Sequence, residues 1–460
     1  MTLGLVWLRR DLRLHDHAAL SLALEQCEHV QSVFVFDTDI LAHFSNPQDR
    51  RLSFLAETLC QMHVELQKRG GGLLVAYGRA QELIPRIAEA LGASKVFAAK
   101  DHEPVTRERD RNVFQTLQMQ GSELIAAEDN FLIQPSNPAL LNGQSEPYKV
   151  FTPFARHWRK TLPPNAFVEK VVEDTGRYAD YAKALAALEA VGISMIKSVD
   201  SIDNILNKIG YTREDLGEWQ PKDAQIKLKR FVQGKLKVYA DSRNILADDD
   251  GTSHLSPYLR FGLVSARACA RLALEVEGIE GTWINELIWR DFYAMVLYRL
   301  PEFAKLEFYE KYRGLEWSRD EEMFAKWCEG KTGYPVVDAA MRQLVQTGWM
   351  HNRARMIVAS FLTKHLLIDW RWGEAFFAQH LMDYELSSNV GGWQWAASTG
   401  IDPQPYFRIF NPTSQEKKFD PEKIYIKRYV AEYGTNRYPA PIVKHEDARL
   451  RALAFYKKSV

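Results

Sequence analysis

From Leu3 to Asp129 short apolar runs alternate with amphipathic stretches: LGLVWL, VQSVFVFD, LLVAYG, SKVFAAKD and SELIAAED, separated by helical patterns such as RLSFLAETLCQMHVELQKRG. Strands spaced by helices predict a parallel, doubly wound, Rossmann-like sheet. The turn after the first strand reads RRDLRLHDH and holds no GxGxxG, which argues against a dinucleotide site there. Between Asn130 and about Asp203 the chain is richer in Pro, Asn and polar residues. That composition predicts a long surface connector, with helical patches from Tyr178 to Lys208 that suggest no function. From about Ala224 onward the pattern is almost wholly helical, with expected stops at Gly251, Pro301, Pro335 and Gly373. The expected organisation is an α/β domain over 1–130, a connector over 131–205 and an all-α domain over 206–460.

Composition adds bounds. A chain of 460 residues, 46% hydrophobic, can bury two or three cores. No stretch has the length and purity of a membrane span, and the N-terminus enters a strand without a cleavable signal pattern, so no membrane partner and a cytoplasmic location are expected. Cys27, Cys60, Cys269 and Cys328 show no CxxC spacing and no His companions, which predicts free thiols and no metal site. Lys plus Arg equals Asp plus Glu at 59 each, so any nucleic-acid surface must come from local segregation of charge.

The candidate chemistry gathers from Asp383 to Thr413, DYELSSNVGGWQWAASTGIDPQPYFRIFNPT, a segment with too little apolar periodicity for an ordinary helix. Gly391 and Gly392 permit close approach of backbone to something flat, and Trp393 and Trp395 supply large apolar faces, so a planar ligand is expected. In WMHNRARMIVASFL, starting at Trp349, Asn352 and Met356 share a helix face beside Arg355. In NELIWRDF, Glu286, Trp289 and Arg290 lie at i, i+3 and i+4; spacing alone favours a surface Glu-Arg pair beside a half-buried Trp. GTSHLSPYLRFG, from Gly251 to Gly262, sets small hydroxyl residues before a helical run, which suits either an N-cap or an anionic group.

The motifs WMHNRARM, GGWQWAASTG and YFRIFNP, together with VWLRRDLR at the start, resemble the photolyase/cryptochrome family over nearly the whole chain, most of all its bacterial class I cyclobutane pyrimidine dimer photolyases. The resemblance implies non-covalent FAD, active as FADH⁻, and a partner, DNA containing pyrimidine dimers, that is repaired by light-driven electron transfer. It assigns FAD contacts to Tyr239, Thr252, Ser253, Leu255, Ser256, Glu286, Arg290, Trp349, Asn352, Arg355, Asp383, Glu385 and Asn389, with Asn389 facing the flavin N5. Substrate contacts fall to Glu286, Trp289, Asn352, Arg353, Met356 and Trp395, and a lesion phosphate to Arg408. Trp393, Trp370 and Trp317 match the family's electron relay. Val390 stands where relatives often carry a second Asn, and Glu385 where they usually carry Asp.

A second, light-harvesting chromophore of deazaflavin, flavin or folate class is left open by the resemblance. Val105 and Thr106 replace the Asn-Glu pair of folate-binding members, while Asp101 and Glu103 resemble positions of deazaflavin or flavin binders. Rivals within the resemblance are a cryptochrome-type photoreceptor, against which the absence of a long tail after the helical domain counts, and a (6-4) photolyase, which would want a His pair where Asn352 and Met356 sit. A flavin electron-transfer protein without a DNA partner is the rival from another class. A monomer without an obligatory protein partner is expected.

Overall fold

The computed structural model describes residues 2–172 and 176–458; residues 173–175 of the expected connector and 459–460 of the expected helical domain lie outside the described residues. The chain divides into two compact units, the first formed by Met1–Asn137, Leu162–Arg230 and His254–Gly278, the second by Pro138–Thr161, Phe231–Ser253 and Ile279–Val460.

In the first unit the five apolar runs form strands β1 (Leu3–Leu8), β2 (His29–Asp37), β3 (Leu73–Gly78), β4 (Ala93–Ala99) and β5 (Glu123–Ala127) of one parallel sheet, in the order β3-β2-β1-β4-β5. Trp7 pairs with Val33 and Val6 with Phe97, so β1 is central. Both faces of a parallel sheet are covered, which is why these strands read as continuous apolar runs rather than alternating ones. Leu5, Trp7, Val33, Leu74, Ile84, Val96 and Leu117 form the core of one face.

The expected boundaries at 130 and 205 do not coincide with the two units, for a physical reason. The region from Tyr178 to Lys208 is core rather than connector: Tyr178 bridges Val30, Met195 bridges Ala76, and Leu188, Ile193 and Met195 join the sheet's apolar cluster. Helical residues 254–278 fold with the sheet because Arg267 bonds Asp16 at 2.9 Å and Asp129 at 2.5 Å, beside an Arg13–Asp129 pair at 2.7 Å, all buried. Burial alone would push the Asp129 carboxyl up, but the Arg13 and Arg267 guanidiniums outweigh it and hold the group well below the usual range.

Asp101 and Glu103 sit after β4, where Asp101 accepts from the backbone N–H of His102 and Glu103. Both acids face Arg10, at 3.6 and 3.0 Å. Val105 is exposed, and Thr106 donates to the Glu103 carbonyl in the first turn of helix Pro104–Met119.

The second unit is helical among the described residues. Two of the expected stops are corrected. Pro335 opens helix Pro335–Thr347, where its missing N–H costs nothing. Gly373 lies inside helix Trp370–His380, because any side chain there would collide with the Trp393 ring. No described helix is long and apolar enough to cross a membrane.

Candidate active site

The segment from Asp383 does contain an ordinary helix, Leu386–Ala397, contrary to the expectation from its weak periodicity. Val390, Gly391, Trp393, Gln394, Ala396 and Ala397 are all buried, and a helix covered on most sides needs no apolar stripe. Glu385 enters it in extended backbone and Ser398, at φ 64°, ends it. The flat group packed against Gly391 is the ring of Tyr293, which a Cβ would strike, whereas Gly392 is exposed and open.

Helix Thr282–Arg299 buries Ile284, Leu287, Ile288, Phe292 and Met295 and leaves Glu286, Trp289 and Arg290 half-buried on one face. Both residues meet partners from elsewhere in the unit: Arg243 donates to Glu286 at 2.6 Å, and Arg290 donates to Glu385 at 3.4 Å. Trp289 is backed by Phe151, with ring centroids 3.7 Å apart and planes 3° from parallel. One indole face is therefore taken, and a base can stack only on the other.

Around Glu286 the positive groups are close. Arg243 lies over the Tyr239 ring at 5.3 Å, and Arg353 donates twice to Asn244, at 3.2 and 2.6 Å, while resting on the Phe419 ring. Burial, and then the field of Arg243, lower the pKa of Arg353. Asn352 is exposed in the first turn of helix Asn352–Ser360, with Met356 Sδ 3.9 Å from its amide; buried His351 caps that turn by accepting from the N–H of Arg353. Trp349 is buried just ahead of it.

Arg355 donates to Asp383 Oδ2 at 2.7 Å and to the Met350 carbonyl at 2.8 Å. Asp383 Oδ1 is buried with no partner among the described residues. Asn389 sends its amide protons to the Glu374 carbonyl and carboxyl, at 3.2 and 3.0 Å. Since both are acceptors, the amide orientation is forced, and Oδ1 is the atom left for a ligand. Burial raises the Glu374 pKa, and hydrogen bonds from Asn389 and Tyr384 offset it. Thr252 Oγ1 is a second buried atom without a partner, and Ser253 follows it. Leu255 and Ser256 belong to the first unit, where Leu255 is buried and Ser256 opens helix Ser256–Phe261.

Trp393, Trp370 and Trp317 are joined through short stretches of structure. Trp393 packs over Gly373, one turn along the helix from Trp370. Trp317 precedes Ser318, whose N–H meets the Leu367 carbonyl at 2.7 Å, three residues before Trp370. Trp393 and Trp370 are buried and Trp317 is half-buried. Trp370 donates to Glu307 at 3.2 Å, while the indole N–H groups of Trp393 and Trp317 have no partner among the described residues. Trp395 is half-buried and Arg408 exposed.

Residues 4–171 match the family model described as DNA photolyase, and residues 283–436 match the FAD binding domain of DNA photolyase. The chain belongs to the DNA photolyase family. It is 36% identical to the deoxyribodipyrimidine photo-lyase of Synechococcus sp. over 99% of this chain and 96% of that one. It is 39% identical to the Vibrio cholerae deoxyribodipyrimidine photo-lyase over 98% and 99%. Among solved structures it superposes on an archaeal photolyase from Sulfolobus tokodaii that carries two FAD molecules, with TM-score 0.83 and 29% identity over 99% of this chain and 100% of that one. A bacterial class III photolyase from Agrobacterium tumefaciens gives 0.81 and 32% over 100% and 98%.

The matched FAD-binding domain lies within the helical unit of this photolyase, and two buried orphan atoms there, Asp383 Oδ1 and Thr252 Oγ1, fit the polar edges of such a cofactor. Sequence spacing did not point to Phe151, Arg243, Asn244 or Glu374. Phe151 sits in the stretch taken for connector, and the others meet their partners only through the tertiary fold.

Proposed function

We propose that this photolyase is a carbon-carbon lyase that repairs cyclobutane pyrimidine dimers in DNA under light, acting as a monomer in the cytoplasm. The observation that carries the proposal is the face around Glu286: a half-buried indole open on one side, a carboxylate held at 2.6 Å by Arg243, and Arg353 beside them, in a unit with a FAD-binding domain. A flipped dinucleotide needs flat apolar walls and a few polar groups aimed at its base edges. Trp289 and Trp395 form the walls, Asn352 and Met356 line the pocket between them, and exposed Arg408 meets the lesion's phosphate.

Arg355, Asp383, Asn389, Glu385, Arg290 and Trp349 hold the flavin ring, and Tyr239, Thr252 and Ser253 hold its diphosphate. Bound FAD supplies, in its reduced form, the electron that light transfers to the dimer. Glu286 does work that binding alone does not: when its carboxyl carries a proton, the O–H donates to a base carbonyl, and that bond strengthens as negative charge develops there. The Arg243 partner keeps the carboxylate in place before substrate arrives.

The test is illumination of reduced, flavin-loaded protein with an oligonucleotide carrying one dimer, followed by the return of base absorbance. Restoration in light and none in the dark is expected. Tight dark binding without restoration would replace repair by a photoreceptor role. The absorption spectrum of the same protein reads the class of any antenna chromophore.

A further inference from the structure

Helix Asn352–Ser360 runs on into a π-helical turn, Phe361–His365, closed by a bond from the Leu366 N–H to the Phe361 carbonyl at 3.2 Å. Such wide turns are uncommon and recur at functional sites. This one carries Lys364, a lysine with 0% exposure. No carboxylate pairs with it among the described residues, and its one hydrogen bond goes from Nζ to the Arg408 carbonyl at 3.3 Å. A buried ammonium without a counter-ion is costly, and an apolar side chain of the same length would fill the space without that cost. Burial accordingly lowers the Lys364 pKa to about 7.

The Arg408 carbonyl receives a second buried donor. Gln404 Nε2 lies 3.0 Å from it, and the backbone N–H of Gln404 donates to the Trp395 carbonyl at 3.2 Å. Residues 401–410 contain no helix or strand; Arg408 itself is otherwise tied only by its N–H to the Pro405 carbonyl at 2.9 Å. Its guanidinium is exposed and makes no hydrogen bond among the described residues, and the neighbouring Phe407 is 57% exposed. The side chain is free to serve a ligand while its backbone is gripped from beneath by two buried donors, one of them linked to the end of the Trp395 helix.

We propose that Lys364 is a positioning residue: with Gln404 it clamps the Arg408 carbonyl and so presents the Arg408 guanidinium to the lesion's phosphate at a fixed place relative to Trp395. The inference rests on the assignment of Arg408 to that phosphate. It goes beyond the assignment because Lys364 meets no nucleotide and acts only through the Arg408 backbone. Ordering the turn in advance removes a conformational cost that DNA binding would otherwise bear.

The experiment is a double-mutant cycle on the flavin-loaded protein, with affinity for a dimer-containing duplex measured in the dark at several salt concentrations. Arg408→Ala should weaken binding and flatten the log-log salt slope by about one unit. Lys364→Met should weaken binding roughly three- to tenfold and flatten the slope in the same direction, since a displaced guanidinium no longer neutralises its phosphate. The decisive arm is the double variant, which should bind no more weakly than Arg408→Ala alone. The loss should appear in affinity and not in repair yield per photon at saturating DNA.

If Arg408→Ala leaves affinity and slope unchanged, the phosphate assignment fails and takes the clamp with it. If Arg408→Ala behaves as stated but Lys364→Met has no effect, or adds its full factor on top of Arg408→Ala, the assignment stands and the clamp is overturned. Should Lys364→Met lose flavin, Gln404→Leu breaks the other half of the clamp and is read by the same cycle.

Discussion

Lys364 makes the stability of the helical unit depend on pH in a direction opposite to that of a lysine in an ion pair. Burial holds its pKa at about 7 against the ordinary value of 10.5, so between those values the unfolded chain binds a proton that the folded chain does not. The unfolding free energy therefore rises with pH across this window. Below pH 7 both states carry the proton and the full cost of burying the charge is present; above about 10.5 neither does and the contribution vanishes. At about 1.4 kcal/mol per unit, the interval from about 7 to 10.5 spans about 5 kcal/mol, of which about 2 kcal/mol falls between pH 7 and pH 9.

The surrounding charges do not reverse that sign. His365, 2.9 Å from His445 and with its carbonyl bonded to Arg451, is held at about 3 by burial and then by His445, Arg451 and Lys364, so it is neutral throughout the window. Cys60 and Cys328, pushed up to about 12 by burial, oppose the trend above pH 9, because they keep thiol protons that the unfolded chain gives up. Comparing wild type with Lys364→Met at each pH cancels the cysteines. Urea unfolding of the flavin-loaded protein, followed by helical circular dichroism, should show the wild type gaining about 2 kcal/mol on the variant between pH 7 and pH 9. Parallel pH profiles for the two proteins would refute the assignment of a neutral, buried amine.

Phe151→Ala removes the backing of Trp289; taking the low end of an aromatic pair, about 0.5 kcal/mol, predicts a two- to threefold fall in dark affinity for dimer DNA. Unchanged affinity would show that Trp289 needs no support. Trp393→Phe strands no partner, because the indole N–H has none, and should slow photoreduction of oxidised flavin sharply while repair by pre-reduced protein continues; photoreduction at the wild-type rate would remove Trp393 from the relay. Asn389→Asp deletes both donors to Glu374 and sets a second ionisable carboxyl beside it, and negative charge added there opposes the anionic reduced flavin, so the flavin reduction midpoint should fall. An unchanged midpoint would show that residue 389 does not face the flavin.

The parallel sheet was legible because its central strands are buried on both faces and so are mostly apolar along their length, with helices between them. The division into units was not. Composition marks a polar stretch as a connector, but Leu188, Ile193 and Met195 are spaced around a turn and read as patches until they meet the sheet. The Arg13, Asp129 and Arg267 cluster joins residues more than a hundred positions apart, and charged residues in sequence default to solvent. Helix Leu386–Ala397 escaped the periodicity argument for the converse reason: a helix enclosed by its neighbours has no polar face to reveal it.

At the site, sequence spacing correctly placed Glu286, Trp289 and Arg290 on one face, because local helical geometry suffices for that. It did not show their tertiary partners. A Glu and an Arg at i and i+4 stabilise an isolated helix by only about 0.2–0.5 kcal/mol, so tertiary partners readily compete for them. Arg243 holds Glu286 at 2.6 Å and Glu385 engages Arg290 at 3.4 Å. Arg290 thereby couples the Glu286 helix to the cap of the Asn389 helix, while Glu286 is tied to the Arg243 segment. Under the proposed assignments, substrate and flavin contacts would come from adjacent turns of this one helix, each steadied by a different element.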